Sequence, residues 1–576
     1  MNCREKIVSE DYADFIIGIN SDYSAIRDEF SDDCVILTSV NDAVIYKPLS
    51  EDWQEQSAAE LAVSNGRRLI EYNYSDIPKL FSLMDTAAIE QTGAIRLQNY
   101  PGLELRGSGI IIGFIGDGVD VYHKAFRYSN GNSRIIGAWD QANQTLEPPF
   151  DLKYGSYLTN ELINEELRLD NSELLNSFSY DSSHGTFMAG IAAGNIDADN
   201  DFSSVAPQAD IAVVKLKPAK QYLRQYYYAK DDAQLYQEND IITGIIFLTR
   251  LAEETGKPLI ICMVHGTSFG AHNGFSILGD LLNILSVRAG IGICIANGNE
   301  GNSRHHYSGR INVEGAYEDV EIRVEDNLPG MSVEIWGESP DIYSVEIISP
   351  TGERIPRIST GISGSSDFEF LFQRTRVAIK YEIVEKRTGA QVVELKFDAP
   401  NSGIWTIRIF GDIILNGKFN VWLPVSEIIG SETYFLKPDP YTTLTLPADS
   451  FLPISVGAYN DETGGIFIES GRGYTTNLAI KPTLVAPGVN ILGPDVNNTY
   501  TQRSGTSIAT AITAGVMAQF MEWGMLRGAS MDMSTVEIKN YLIRGAQRRP
   551  IITYPDREWG FGVLDAYNSL DILRKV

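Results

Sequence analysis

Ile110-Ile111-Ile112-Gly113-Phe114-Ile115-Gly116-Asp117-Gly118 is the stretch from which the fold is read. An uncharged, mostly apolar run ends abruptly in Gly-Asp-Gly. Short runs of this kind suit strands buried on both faces, as in parallel sheets sandwiched between helices. Three more follow, at residues 211–216, 259–264 and 291–296. Between them, residues 241–252 and 275–287 carry apolar side chains at three-and-four spacing, the period of helices packed on one face. Strand–helix alternation predicts an α/β fold with a mostly parallel sheet and helices on both faces. In such sheets the site lies beyond the carboxyl ends of the strands. Gly116, Asp117, Gly266 and residues 297–299 all fall there.

The pattern differs on either side of these runs. Residues 1–98 read as a small α+β segment, with Val35-Ile36-Leu37-Thr38 and Ala43-Val44-Ile45-Tyr46 as paired strands around a polar turn. Residues 99–310 form the first part of the α/β domain. From 311 to 440 the sequence alternates, as in Val320-Glu321-Ile322-Arg323-Val324 and Trp405-Thr406-Ile407-Arg408-Ile409, with turns such as Ser349-Pro350-Thr351-Gly352 between. This predicts an antiparallel β insertion built as a sandwich. The α/β pattern resumes and fills 441–576.

Composition narrows the partners. The chain has 576 residues, 43% of them hydrophobic, and a formal charge of −28. Such a surface repels phosphate backbones, which argues against nucleic acid. The N-terminus has no apolar core of a secretory signal, and no run of 18 uncharged apolar residues occurs. Cytoplasmic or spore-associated residence is therefore expected, without a membrane span. Cys3, Cys34, Cys262 and Cys294 contain no CxxC pair and read as reduced, buried thiols. No metal site and no cofactor is expected from them, and the sequence is silent on structural calcium.

Three element ends carry reactive groups. Ser507 follows Gly505-Thr506 and opens a helix rich in small residues, Ile508-Ala509-Thr510-Ala511-Ile512-Thr513-Ala514-Gly515. A serine there gains from the helix dipole and free N–H groups, although capping serines are common at the same position. His184, one of six histidines, opens a second small-residue helix. Asn299 ends a strand in Ala296-Asn297-Gly298-Asn299-Glu300-Gly301. A serine nucleophile needs an imidazole as base, a group to hold that imidazole, and donors for the oxyanion. These residue types, in the order acid region, His, Asn, Ser, supply that set.

The boxes HGTFMAG, ANGNEG and SGTSIATAITAG resemble the subtilisin-like (S8) serine peptidases over roughly 105–310 and 445–570. Within that family, Gly298-Asn299-Glu300-Gly301-Asn302-Ser303-Arg304-His305-His306 is similar to the clostridial spore-germination (Csp) subtilases. The resemblance implies a peptidase acting on protein or peptide substrates. Ser507 would be its nucleophile, His184 its general base and Asn299 its oxyanion donor. It also implies that the N-terminal segment is a prodomain, a second partner for the site, and that the β insertion is a jelly roll. A cut in the linker near Gln98 or Tyr100 is then expected.

Two departures stand against the family pattern. Aligned on its first box, Gly116 occupies the position of the catalytic carboxylate, and Asp117 lies one residue further on. In plain extended backbone that shift turns Asp117 away from His184, whereas a twist between Gly116 and Gly118 brings it back. The family's S-L-G strand, which pairs with substrate, reads Val264-His265-Gly266 here, so His265 either narrows the first specificity pocket or is neutral drift. The two functional readings are a serine endopeptidase with a weakened triad and a pseudoprotease that binds a partner or signals.

Overall fold

The run from Ile110 ends where the sequence puts it, as the strand Ile111–Gly116 with every residue buried. The computed structural model describes residues 2–18, 34–38, 42–49, 73–83, 92–169, 171–358, 364–372 and 374–572. That strand lies inside an eight-stranded sheet of order Leu484–Pro487, Ile454–Tyr459, Ile291–Ala296, Leu259–Met263, Ile111–Gly116, Asp210–Lys215, Ile135–Asp140, Ser156–Thr159. All neighbours are parallel except the last pair. Alternate side chains of each strand enter opposite cores. Ile112, Phe114, Ile260 and Cys262 join one cluster, while Ile111, Ile115 and Ile261 join the other. Burial on both faces is why these runs lack polar alternation. This is the mostly parallel α/β arrangement that the sequence predicts.

The first of these cores holds the two small-residue helices. Ser183–Ala193 is buried from His184 onward, and Thr506–Met521 is buried along its whole length. Alanine, glycine and threonine let the helices approach closely. A Cβ on Gly515 would press into Val205, and one on Gly190 into Pro494.

The N-terminal segment is a three-stranded antiparallel sheet, Tyr12–Gly18, Asp42–Pro48 and Val35–Leu37. The expected hairpin is present, with Ile36 opposite Val44; the first strand carried no clear signal. Asp14, fully buried, holds this sheet against the α/β unit. It binds Lys220 Nζ at 2.5 Å and accepts Gln237 Nε2 and Asn239 Nδ2, each at 3.0 Å. Cys3 and Cys34 are joined in a disulfide, which corrects the expectation of four reduced thiols; Cys262 and Cys294 are free and buried. Nothing in their spacing reveals the pairing, because the bond depends on how the segment folds back.

Gln98 and Tyr100 do not lie in an open linker. Gln98 ends the helix Ala94–Gln98 and is buried, donating to Ser204 O at 2.7 Å and Val205 O at 2.8 Å. Tyr100 packs on Tyr567. The expected linker is thus a segment packed on the α/β unit.

Strands from His306–Arg310 to Tyr434–Phe435 build two antiparallel sheets of six and five strands over one apolar core, the expected sandwich. His272 and His306 both stack on Trp422, at 4.2 and 4.8 Å between ring centroids, and the His272 contact joins the sandwich to the α/β unit.

Candidate active site

Glycines set the geometry around His184. Gly118 has φ +96°, a conformation that favours glycine, and a Cβ there would crowd Phe178 O and Lys215. The chain therefore turns sharply after the strand and presents Asp117 to the start of the histidine helix. Ser182, at that helix's N-cap position, makes no capping bond with its side chain. Asp117 takes over this role. Its Oδ2 accepts the backbone N–H of His184 at 3.0 Å, and its Oδ1 that of Gly185 at 2.8 Å. A Cβ on Gly185 would overlap Gly118 O, which explains the glycine after the histidine. Burial pushes the Asp117 carboxyl up to about 7, against the opposing effect of the two backbone donors.

Asn299 is oriented by the residue before the serine. Its Oδ1 accepts Thr506 N at 3.2 Å and Thr506 Oγ1 at 3.0 Å. The amide nitrogen is thereby directed away from Thr506 and left as a donor. Gly298, at φ +90°, has no room for a side chain against Thr445. Ser507, in the first turn of its helix, is fully buried, and its Oγ has no hydrogen-bond partner among the described residues.

The strand His265–Gly266, which the resemblance makes one wall of a substrate cleft, is paired by the chain itself. Residues Leu80–Leu83 form a strand between His265–Gly266 and Leu235–Gln237, antiparallel to both. Leu83 lies opposite His265, and Ser82 opposite Gly266. His265 is fully buried, packs edge-on against Tyr236 at 5.5 Å, and has no hydrogen-bond partner on either ring nitrogen among the described residues. Burial first, and the nearby His184 second, push it down to about 3, so it is neutral. The sequence reading missed the strand Leu235–Gln237 and the docking of residues 80–83, since runs this short carry no period. No group of three or more histidines, cysteines or carboxylates among the described residues is placed to hold a metal ion. No described helix is long and apolar enough to cross a membrane.

A parallel α/β sheet with histidine and serine at the starts of two buried helices, and an asparagine anchored beside the serine, is the architecture of subtilisin-like peptidases. The subtilase family, Peptidase_S8, matches residues 107–321 and 436–562, and the chain belongs to it. The CspB protease of Clostridium perfringens is structurally similar, with a TM-score of 0.75 and 29% identity, covering 84% of this chain and 98% of that one. The PII-type proteinase of Lacticaseibacillus paracasei is 24% identical over 525 residues, which are 82% of this chain and 26% of that protein. The PI-type proteinase of Lactococcus lactis subsp. cremoris is 23% identical over 529 residues, again 82% of this chain and 26% of its own. The chain thus spans 26% of the length of these two proteinases.

Proposed function

We propose that the protein is a serine endopeptidase acting through an acyl-enzyme on Ser507, and that its N-terminal segment is a prodomain and its first substrate. His184 takes the Ser507 proton as Oγ attacks the peptide carbonyl, then gives it to the leaving amine. The Asn299 amide and the N–H groups at the start of the serine helix hold the oxyanion. The observation that carries this reading is the strand Leu80–Leu83, laid along His265–Gly266 as an extended substrate would be. It leads directly into residues 84–91, which lie outside the described residues, and we propose that the bond to be cut lies in that stretch. Tethering makes even a slow catalyst sufficient for one turnover. The chain's own prodomain and other extended peptides are the partners this reading implies.

The arrangement of Asp117 favours a second reading, a pseudoprotease that binds rather than cuts. Gly116 stands at the acid position, and the next carboxylate is engaged with backbone N–H groups. One comparison separates the two. Wild type and Ser507→Ala are expressed side by side, and intact masses and fluorophosphonate labelling are measured. The peptidase yields a new N-terminus within 84–91 and a labelled Ser507 in wild type alone. Identical behaviour of the two chains would leave only the binding role.

A further inference from the structure

The β insertion rejoins the α/β unit beside the cleft. Its return passes through Val425 and the short helix Ser426–Ile429. Ser82 Oγ, in the middle of the cleft strand, donates to Glu427 Oε2 at 3.3 Å. Two residues earlier on the same face of that strand, Leu80 shares an apolar cluster with Phe269, Val425 and Ile428. Glu300 stands behind, accepting Ser426 N at 3.1 Å and Ser426 Oγ at 3.2 Å and paired with His305 Nδ1 at 3.1 Å, so this wall of the cleft holds two carboxyls against one imidazole. Ser82 itself is buried. The Glu427 side chain reaches solvent, but its desolvation by surrounding protein and the nearby Glu300 push its carboxyl up to about 7, so it is fully charged only above neutral pH.

We propose that residues 425–428 are a specificity element of the cleft. Glu427 selects a hydroxyl-bearing or basic side chain at the substrate position held by Ser82, and the apolar wall selects an aliphatic residue two positions earlier. An acidic side chain at the Ser82 position is rejected, because it would face Glu427 with Glu300 behind it. The insertion thereby reads substrate, in addition to bracing the fold. This rests on the peptidase reading for its meaning, but the contact itself is testable without turnover.

Full-length chains with Ser82→Glu, Ser82→Gln or Ser82→Lys are prepared, each with and without Glu427→Lys. Two quantities are read: amide exchange at residues 80–83, normalised to the strand Leu259–Met263, and the fraction cut within 84–91. At about pH 8, where Glu427 is charged, a like charge beside it should speed exchange about fivefold in Ser82→Glu relative to the equally large Ser82→Gln. Adding Glu427→Lys should bring it back to within about twofold, since the two sites touch and couple. Ser82→Lys should exchange no faster than Ser82→Gln. Equal exchange in all three variants, or no reversal by Glu427→Lys, overturns the proposal. If exchange follows the charge swap but no chain is cut, wild type included, the subsite stands and the peptidase reading falls. If wild type is cut while neither readout follows charge, the peptidase stands and the subsite falls.

Discussion

Asp117 is bound to the backbone of His184, with its Oδ2 3.0 Å from that residue's nitrogen and its Oδ1 2.8 Å from the nitrogen of Gly185. The carboxylate one residue past the family's acid position thus serves as a cap donated from another element. Removing it leaves two N–H groups at a buried helix start, but also relieves a carboxyl whose pKa of about 7 shows that its charge is costly to bury. Asp117→Ala should therefore cost about 1–3 kcal/mol, read from the urea midpoint. Gly116→Asp restores a carboxylate at the family position. In subtilisin the loss of that group costs on the order of 10⁴ in turnover, so Gly116→Asp should raise the rate of cutting by about 10²–10⁴. If Asp117→Ala abolishes cutting while Gly116→Asp changes nothing, Asp117 is itself the triad acid.

Ser507 should be a residue whose loss does not weaken the fold. Its hydroxyl is fully buried and lacks a hydrogen-bond partner among the described residues. Ser507→Ala removes an unsatisfied polar atom and leaves the helix start otherwise intact. Stability should stay equal or rise by up to about 1 kcal/mol, while cutting and probe labelling vanish. A loss of more than this in thermal or urea unfolding would mean that the hydroxyl has a structural partner.

Asn299→Asp separates the two ends of one side chain. The Oδ1 that accepts Thr506 N and Oγ1 is retained, and the donor is replaced by a second acceptor. Stability should hold within about 0.5 kcal/mol of wild type, as expected when no buried bond is lost. The rate of acylation should fall by about 10²–10³ or more, the usual cost of one oxyanion donor, measured as probe labelling over time.

The disulfide offers a test of how the N-terminal segment is held. It closes a loop with a sequence separation of 31 between Cys3 and Cys34. Such a loop contributes about 3–4 kcal/mol by constraining the unfolded chain. Cys3→Ser with Cys34→Ser should thus raise exchange throughout Tyr12–Gly18 and Asp42–Pro48, while the strands around Ile111–Gly116 keep their protection. Uniform change across both regions would mean that the segment unfolds together with the α/β unit.

What was legible in the sequence follows from where its signals are strong. The strands that ended up buried on both faces, such as Ile111–Gly116 and Leu259–Met263, appear as unbroken apolar runs, and the sandwich appears as alternation. The starts of the two small-residue helices exposed His184 and Ser507, because close packing demands glycine and alanine beside them. Three features were illegible. The Cys3–Cys34 pairing depends on a chain reversal without periodicity. The docking of Leu80–Leu83 rests on two residue pairs with His265–Gly266, too few to write a pattern. The role of Asp117 turns on φ at Gly118, since sequence fixes only that a twist is allowed there and not which acceptor it serves.

His265 should make the protein acid-labile over a defined window. It is fully buried, and its pKa is pushed down to about 3, from the ordinary value near 6.5 in the unfolded chain. Above about 6.5 the ring is neutral in both states and has no effect on pH dependence. As pH falls through that value, the unfolded chain takes up a proton that the folded chain refuses, so stability is lost. The slope is about 1.4 kcal/mol per pH unit for one such group, which gives about 2 kcal/mol between pH 6.5 and 5. Carboxylates titrating in the same range act equally on a His265→Leu variant. The difference between the two chains therefore isolates the histidine. His265→Leu also returns the strand to the family's S-L-G pattern. Its urea midpoint should fall less than wild type's between pH 7 and 5, by the equivalent of about 2 kcal/mol. Parallel losses in the two chains would mean that His265 is protonated in the folded state within this range, with a partner for its charge.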